Sequence, residues 1–347
     1  MRSCPVVDAQ GRIYLCLGGR LAALEDVPDA DEPREHWVYS IGAHAPGSPV
    51  LGGDGYLRIH SGDGALHCVD RSGRQVWAPV LVGDPLGWAS PLVDDENGTW
   101  ISGYNGGLWK VDSHGRTSGR PYLRSRQKFD CTGLIHRRVL YVGGEDGFVY
   151  AIDLTGRTGR NRWDVLAGVG KTGWFINSAL AMTGEGELIV ASRDDYLYGL
   201  GLDGRETWKV HMRGQMLGSP VVDAAGNVFV GINHGPRGER TQGLLVRVAG
   251  DSHKVAWQYA AAGPIESTPV VGDDGVVYFG DNTGTVHAVD PSGQPEWTEQ
   301  LSAPVRSAGA IVSAGRVGFG LDNDTFVALK CSSRSLAPGG WPKYMGR

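Results

Sequence analysis

The chain has 347 residues, of which 54 are Gly and 18 are Pro, so glycine stands at nearly twice its usual share of about 7%. This composition favours many short strands and tight turns over long helices. The formal net charge is −5 without a long run of like charges, and no apolar stretch reaches the roughly 18 residues of a membrane span. We therefore expect neither nucleic acid as a partner nor a membrane-spanning segment.

The N-terminal sequence MRSCPVVDAQGRIYLCL lacks the charged region, apolar core and cleavage site of a signal peptide. The predicted location is cytoplasmic if Met1 is the native start, and extracytoplasmic if a leader has been removed. The five cysteines are odd in number, widely spaced and never arranged as CxxC. This pattern argues against a disulfide framework and against a zinc cluster.

A repeated unit runs through the chain. It consists of Ser or Thr with Pro, β-branched residues, a Gly-containing turn, an aromatic strand, a second turn, an apolar strand ending in Asp, and then Gly and Trp. The clearest copy is TPVVGDDGVVYFGDNTGTVHAVDPSGQPEW. In chain order the eight copies begin at Cys4, Ser48, Ser90, Thr132, Ser178, Ser219, Thr268 and Ala308. The tryptophans that close the copies are Trp37, Trp77, Trp163, Trp208, Trp257, Trp297 and Trp341.

The length of each copy predicts the architecture. Adjacent closing tryptophans lie about 40 to 49 residues apart, which is room for four strands of about five residues and their turns. One such meander is too thin to bury its faces, whereas eight stacked radially share one core and leave only short edges. The sequence therefore predicts an all-β, eight-bladed β-propeller with four-stranded antiparallel blades and tryptophan-docking motifs, forming a single domain over residues 1–347.

Three segments carry a family resemblance: CVDRSGRQVW at 68–77, AIDLTGRTGRNRW at 151–163 and AVDPSGQPEW at 288–297. They resemble the tryptophan-docking motif of the PQQ-like β-propeller repeat family, which includes quinoprotein alcohol dehydrogenases and BamB. For a quinoprotein dehydrogenase the resemblance would imply PQQ, calcium and an adjacent pair of cysteines. No two cysteines are adjacent here, and we find no convincing calcium ligands. We therefore predict no cofactor and expect neither PQQ nor calcium.

The loops that enter the innermost strands of a propeller gather around the mouth of its channel, and such convergent loops favour ligand sites. The residues just before the Ser or Thr that begins a copy differ from copy to copy. Packing does not require this difference, because equivalent positions of a symmetric repeat have equivalent surroundings. The candidate ligand-binding residues at this face are Trp88, Cys131, Trp174, Asn177, Glu266 and Arg306. The simpler alternative is that Glu266 and Arg306 only pair with each other across adjacent blades.

Two classes of function follow. The leading hypothesis is a propeller that binds a small molecule, a peptide or a partner protein on the channel face, without catalysis. The alternative is an acid/base enzyme, such as a cyclase, an isomerase or a lyase. Asp130 and Glu266 would then be the acid and base, and Arg306 the electrostatic stabiliser. A quinone-dependent dehydrogenase is a minor third possibility.

Overall fold

The computed structural model describes residues 3–27, 33–125, 127–155, 161–166, 175–235 and 240–346. The chain divides into two compact units. The first comprises Ser3–Leu166 with Phe175–Asn177, and the described part of the second lies within Ser178–Arg347. The described residues contain strands, turns and loops but no helix, and so none that is long and apolar enough to cross a membrane.

The first unit holds four antiparallel sheets, blades one to four, each built from four consecutive strands that pair in sequence order. The strands are β1 Val6–Val7, β2 Arg12–Leu17, β3 Arg20–Glu25, β4 Arg34–Ser40, β5 Val50–Leu51, β6 Leu57–His60, β7 Ala65–Val69, β8 Gln75–Leu81, β9 Leu92–Val93, β10 Thr99–Ser102, β11 Gly107–Val111, β12 Leu123–Arg124, β13 Leu134–His136, β14 Val139–Gly143, β15 Phe148–Asp153 and β16 Asn161–Leu166.

The second unit holds blades five to eight. Blades five to seven have four strands each, and the described part of blade eight has three. The strands are β17 Ala181–Met182, β18 Leu188–Ala191, β19 Tyr196–Leu200, β20 Glu206–His211, β21 Val221–Val222, β22 Val228–His234, β23 Gln242–Val248, β24 Val255–Ala260, β25 Val270–Val271, β26 Val277–Gly280, β27 Thr285–Val289, β28 Pro295–Gln300, β29 Ala310–Ser313, β30 Arg316–Gly320 and β31 Phe326–Lys330. The predicted all-β, eight-bladed propeller fold is confirmed.

The two middle strands of a blade are buried on both faces, whereas the outermost strand alternates between exposed and half-buried residues. In blade two, for example, every residue of β6 and β7 is buried, but most of β8 is exposed. The middle strands are buried on both sides where adjacent blades of one unit pack face to face. Leu57 and Ile59 of blade two pack in this way against Tyr14 and Leu21 of blade one.

The Ser or Thr at the start of several copies has a structural role. In four copies its hydroxyl oxygen accepts a hydrogen bond from the backbone N–H at the same position in the preceding blade, whereas Ser219 accepts from the N–H of Ala179, one position later. Ser48 N donates to Ser90 Oγ (2.9 Å), and Ser90 N donates to Thr132 Oγ1 (2.7 Å). In the second unit Ser219 N donates to Thr268 Oγ1 (3.0 Å). These hydroxyls satisfy buried amides at the edge of the first strand, where no further strand supplies a carbonyl.

Several of the closing tryptophans contact the last hairpin of the next blade, and we call each such contact a tryptophan joint. Trp37 Nε1 donates to the carbonyl of Arg71 (2.9 Å), and the indole lies against Gly73. Trp257 Nε1 donates in the same way to the carbonyl of Pro291 (3.0 Å). Each of these joints therefore links two adjacent blades of one unit through both packing and a hydrogen bond.

Trp341 differs from the sequence-based prediction that it closes the eighth copy. It lies in the C-terminal segment, residues 332–346, which leaves blade eight after β31. Trp341 exchanges two backbone hydrogen bonds with Val222 of blade six (2.7 and 2.8 Å). Ala337 N donates to the carbonyl of Val271 in blade seven, and Val271 N donates to the carbonyl of Pro342 (both 2.9 Å). The segment thus pairs with the first strands of blades six and seven instead of completing blade eight.

Candidate functional site

In each blade, the loop that enters the first strand lies at the same end of the sheet as the hairpin between the second and third strands, because neighbouring strands run in opposite directions. We call this end of a blade its loop face. The predicted site residues Trp88 and Asp130 lie on loop faces of the first unit, and Asn177 lies in the loop segment Phe175–Asn177 of that unit. Glu266 and Arg306 lie on loop faces of the second unit.

Trp88 and Asp130 are in direct contact. The backbone N–H of Trp88 donates to Asp130 Oδ1 (2.9 Å), so the buried carboxylate fixes the loop that carries the tryptophan. The Trp88 side chain is 42% exposed, and the exposed His44 imidazole meets it edge-on with ring centroids 6.3 Å apart. A large aromatic side chain is thus held at the surface by a buried acid.

His60 supports the same loop from below. Its Nε2 lies 2.5 Å from the carbonyl oxygen of Ala89, the residue after Trp88. A carbonyl only accepts hydrogen bonds, so Nε2 must carry the proton. Complete burial lowers the pKa of His60 to about 4, although hydrogen bonds to the Ala89 and Ser61 backbone act in the opposite direction. His60 is therefore a neutral donor at pH 7.

A polar cluster joins the loop faces of blades three and four with the loop segment Phe175–Asn177 of the same unit. Lys128 Nζ lies 3.2 Å from Glu145 Oε1 and 4.8 Å from the centre of the Tyr104 ring. Asn177 Nδ2 donates to the same Glu145 oxygen (2.7 Å). Sequence reasoning identified Asn177 but missed the other three residues. The repeat does place Glu145 in a loop-face hairpin, between β14 and β15.

Two other candidate ligand-binding residues of the sequence analysis are Cys131 and Trp174. The Cys131 side chain is fully buried, and its Sγ lies 3.4 Å from the carbonyl oxygen of Thr132, so this thiol does not reach the surface. Trp174 lies outside the described residues. The ligand-binding roles of both residues stay predictions.

In the second unit Glu266 and Arg306 belong to one charged network. Arg306 Nε lies 3.8 Å from Glu266 Oε2 and donates to Asn282 Oδ1 (3.1 Å), while Nη1 pairs with Asp322. Asn282 Nδ2 donates to Glu266 Oε1 (3.0 Å). Glu266 and Arg306 therefore do pair across adjacent blades, as the simpler alternative predicted. Two hairpin residues that the sequence did not point to, Asn282 and Asp322, complete the network.

The candidate residues thus form two groups, one in each unit. Trp88 contacts Asp130 in the first, and Glu266 contacts Arg306 in the second. A shared pocket formed by both groups remains a prediction, as does acid/base chemistry that combines Asp130 with Glu266 and Arg306.

A family model described as outer membrane protein assembly factor BamB matches residues 145–235 and 241–333, just over half of the chain. The chain belongs to this BamB family. The match confirms the resemblance to PQQ-like propeller repeats. No curated protein matches the sequence.

Two solved structures show the same fold. BamB from Moraxella catarrhalis superposes with a TM-score of 0.73 at 18% identity, covering 94% of this chain and 92% of that one. A europium-containing methanol dehydrogenase gives a TM-score of 0.70 at 13% identity, covering 98% of this chain and 83% of that one. At such low identities these likenesses show the fold alone, which this BamB family member therefore shares with an assembly factor and with an enzyme.

Proposed function

We propose that this protein is a binding propeller that recognises a partner protein through the loop faces of its first unit. The observation that carries the proposal is the exposed Trp88, whose loop is fixed from behind by Asp130 and His60. Aromatic side chains of this kind are enriched at the energetic centres of protein interfaces. A loop already fixed in position loses less entropy when a partner binds.

Two further apolar side chains of the first unit are exposed as well. Leu81, at the end of β8 where the Trp88 loop begins, is 71% exposed, and Phe175, in the loop before blade five, is 40% exposed. With Trp88 they make up three of the six large apolar side chains that are exposed among the described residues. The description of the family as an assembly factor also favours a protein partner over a small molecule.

The catalytic alternative has less support. Asp130 is buried and already accepts the Trp88 amide, and Glu266 is engaged with Asn282 and Arg306. A general base has to be within reach of the proton that it removes. Carboxylates that hold loops and neighbouring side chains fit a structural role in a binding surface better.

The test is site-specific photo-crosslinking in the source cells with p-benzoylphenylalanine at position 88, and at position 76 as a control. Val76 is also exposed in the first unit, but it lies on the outermost strand β8. We expect position 88 to crosslink to a discrete protein. Trp88→Ala should reduce co-purification of that protein by roughly thirtyfold, since a central aromatic contributes about 2 kcal/mol or more. Equal crosslinking from both positions, or unchanged co-purification, would refute the proposal.

A further inference from the structure

A cleft of about 580 Å³ opens between blades five and six, at the end of these blades opposite their loop faces. One wall is the first hairpin of blade five, Thr183 to Glu187, and the other is formed by the first and last hairpins of blade six. The volume lies within the range of about 300 to 1,000 Å³ that is typical of ligand sites. All of these residues belong to the second unit, so the cleft is separate from the Trp88 surface.

The cleft occurs where a tryptophan joint departs from the repeat. At the joints of Trp37 and Trp257 a glycine of the next blade lies against the indole. At Trp208 the corresponding hairpin presents His253, whose ring stacks on the indole with centroids 4.8 Å apart and planes 11° apart. Trp208 Nε1 donates to Glu187 of its own blade (2.9 Å) instead of to a carbonyl of blade six. Trp208 and His253 therefore form part of the wall of an open cleft.

The chain itself shows how this end of the second unit accepts an extended polypeptide. The C-terminal segment pairs through its backbone with Val222 and Val271, as described above. A Cβ atom built on Gly339 would lie 3.5 Å from the Cβ of Ala224, and Ala224 also lines the cleft. The sequence of the segment, SSRSLAPGGWPKYMG, is rich in Gly and Pro and contains basic but no acidic residues.

The chemistry of the cleft suits a segment of the same type. Eight of its lining residues are Gly or Ala, which leave backbone groups accessible to another chain. Its charged residues are Glu185, which is exposed, and Glu187, and none of the described lining residues is Lys or Arg. We propose that the cleft binds an extended, glycine- and proline-containing segment of a partner protein through a Lys or Arg side chain that pairs with Glu185.

The test uses the full chain and a fluorescein-labelled probe peptide, Gly-Gly-Lys-Ala-Pro-Gly-Arg-Gly-amide, with binding followed by fluorescence anisotropy. A second peptide carries Glu in place of Lys and Arg. Gly184→Phe should block the cleft, since a Cβ at this position meets no heavy atom of the described chain within 4 Å. Gly53→Phe is the matched control, because Gly53 holds the corresponding position in the first hairpin of blade two and its Cβ also has room.

We expect the basic peptide to bind, and Gly184→Phe and Glu185→Lys each to weaken its binding by about tenfold or more, while Gly53→Phe leaves it unchanged. The acidic peptide should bind at least about tenfold more weakly than the basic one. The proposal is overturned if the basic peptide does not bind at about 1 mM, if the acidic peptide binds equally well, or if Gly184→Phe has no effect. The proposal would also be overturned if the protein self-associates and Gly184→Phe abolishes that self-association. The cleft would then bind a second copy of this chain instead of a partner protein.

Discussion

A single buried histidine makes the stability of the Trp88 loop depend on pH. His60 is completely buried, and burial lowers its pKa to about 4 from a value near 6.5 in an unfolded chain. Between pH 4 and pH 6.5, therefore, His60 is protonated in the unfolded state but neutral in the folded state. The contribution of His60 to the free energy of unfolding is complete above pH 6.5 and is lost as the pH falls toward 4. The total loss is about 3 kcal/mol.

His60→Gln should remove this dependence, because an amide donates to the Ala89 carbonyl without titrating. We expect the free energy of unfolding of the variant to fall less steeply than that of the wild type between pH 6.5 and 4, as measured by urea denaturation at a series of pH values. His114→Gln, at an exposed histidine, should retain the wild-type slope. If both variants retain that slope, His60 does not control the pH response.

At the scale of the elements, the tryptophan joints depend on glycines that tolerate both a positive φ and a close indole. Gly73 has φ +80°, and a Cβ there would lie 2.7 Å from the Trp37 ring. Gly11 has φ +79° but nothing of the described chain within 4 Å of its Cβ position. Both glycines lie in the first unit, so the pair separates backbone strain from contact with the indole.

We predict that Gly11→Ala costs roughly 1 to 2 kcal/mol of unfolding free energy through its left-handed backbone alone. Gly73→Ala should lower the free energy of unfolding by about 1 to 3 kcal/mol more than Gly11→Ala does, because its methyl group also overpacks the joint. Urea denaturation of both variants and the wild type measures the difference. Equal losses would mean that the indole moves aside without cost and that the joint contributes little to holding blades one and two together.

The same joints show what the sequence reveals and what it leaves out. The spacing of the closing tryptophans and the hairpin glycines was enough to predict the blades. His253 was also visible in the sequence, at the place of the joint glycine, but its identity alone does not predict an open cleft. At this joint the Trp208 indole donates to Glu187 of its own blade, a partner that the spacing of the repeat does not reveal.

For the whole molecule, the repeat predicted the fold because burial on both faces imposes one pattern on every blade. The candidate site was predicted less completely. The repeat identified the loops of Trp88, Asp130 and Arg306, but not Lys128 or Asn282, since partners within these clusters are selected by side-chain rotamers and not by sequence spacing. Trp341 was assigned to the wrong blade because its position after a repeat resembles a closing tryptophan.

The last prediction concerns cofactors and belongs to the whole chain, because the fold is shared with a methanol dehydrogenase. No two of the five cysteines are adjacent in sequence. Among the described residues, no group of three or more His, Cys, Asp or Glu side chains is arranged to hold a metal ion. We therefore predict that neither PQQ nor calcium has a binding site on this protein.

Thermal denaturation with PQQ, with calcium, with both together and with EDTA tests this prediction. A ligand that binds only the folded state stabilises it by about 2.7 kcal/mol when present at 100 times its Kd. For a chain of this length that corresponds to a rise in Tm of roughly 4 °C. We expect no such shift in any of the four conditions. A rise in Tm with PQQ and calcium together, reversed by EDTA, would contradict the prediction. It would favour the quinone-dependent dehydrogenase over the binding propeller, because a protein that only binds a partner has no evident use for a bound cofactor.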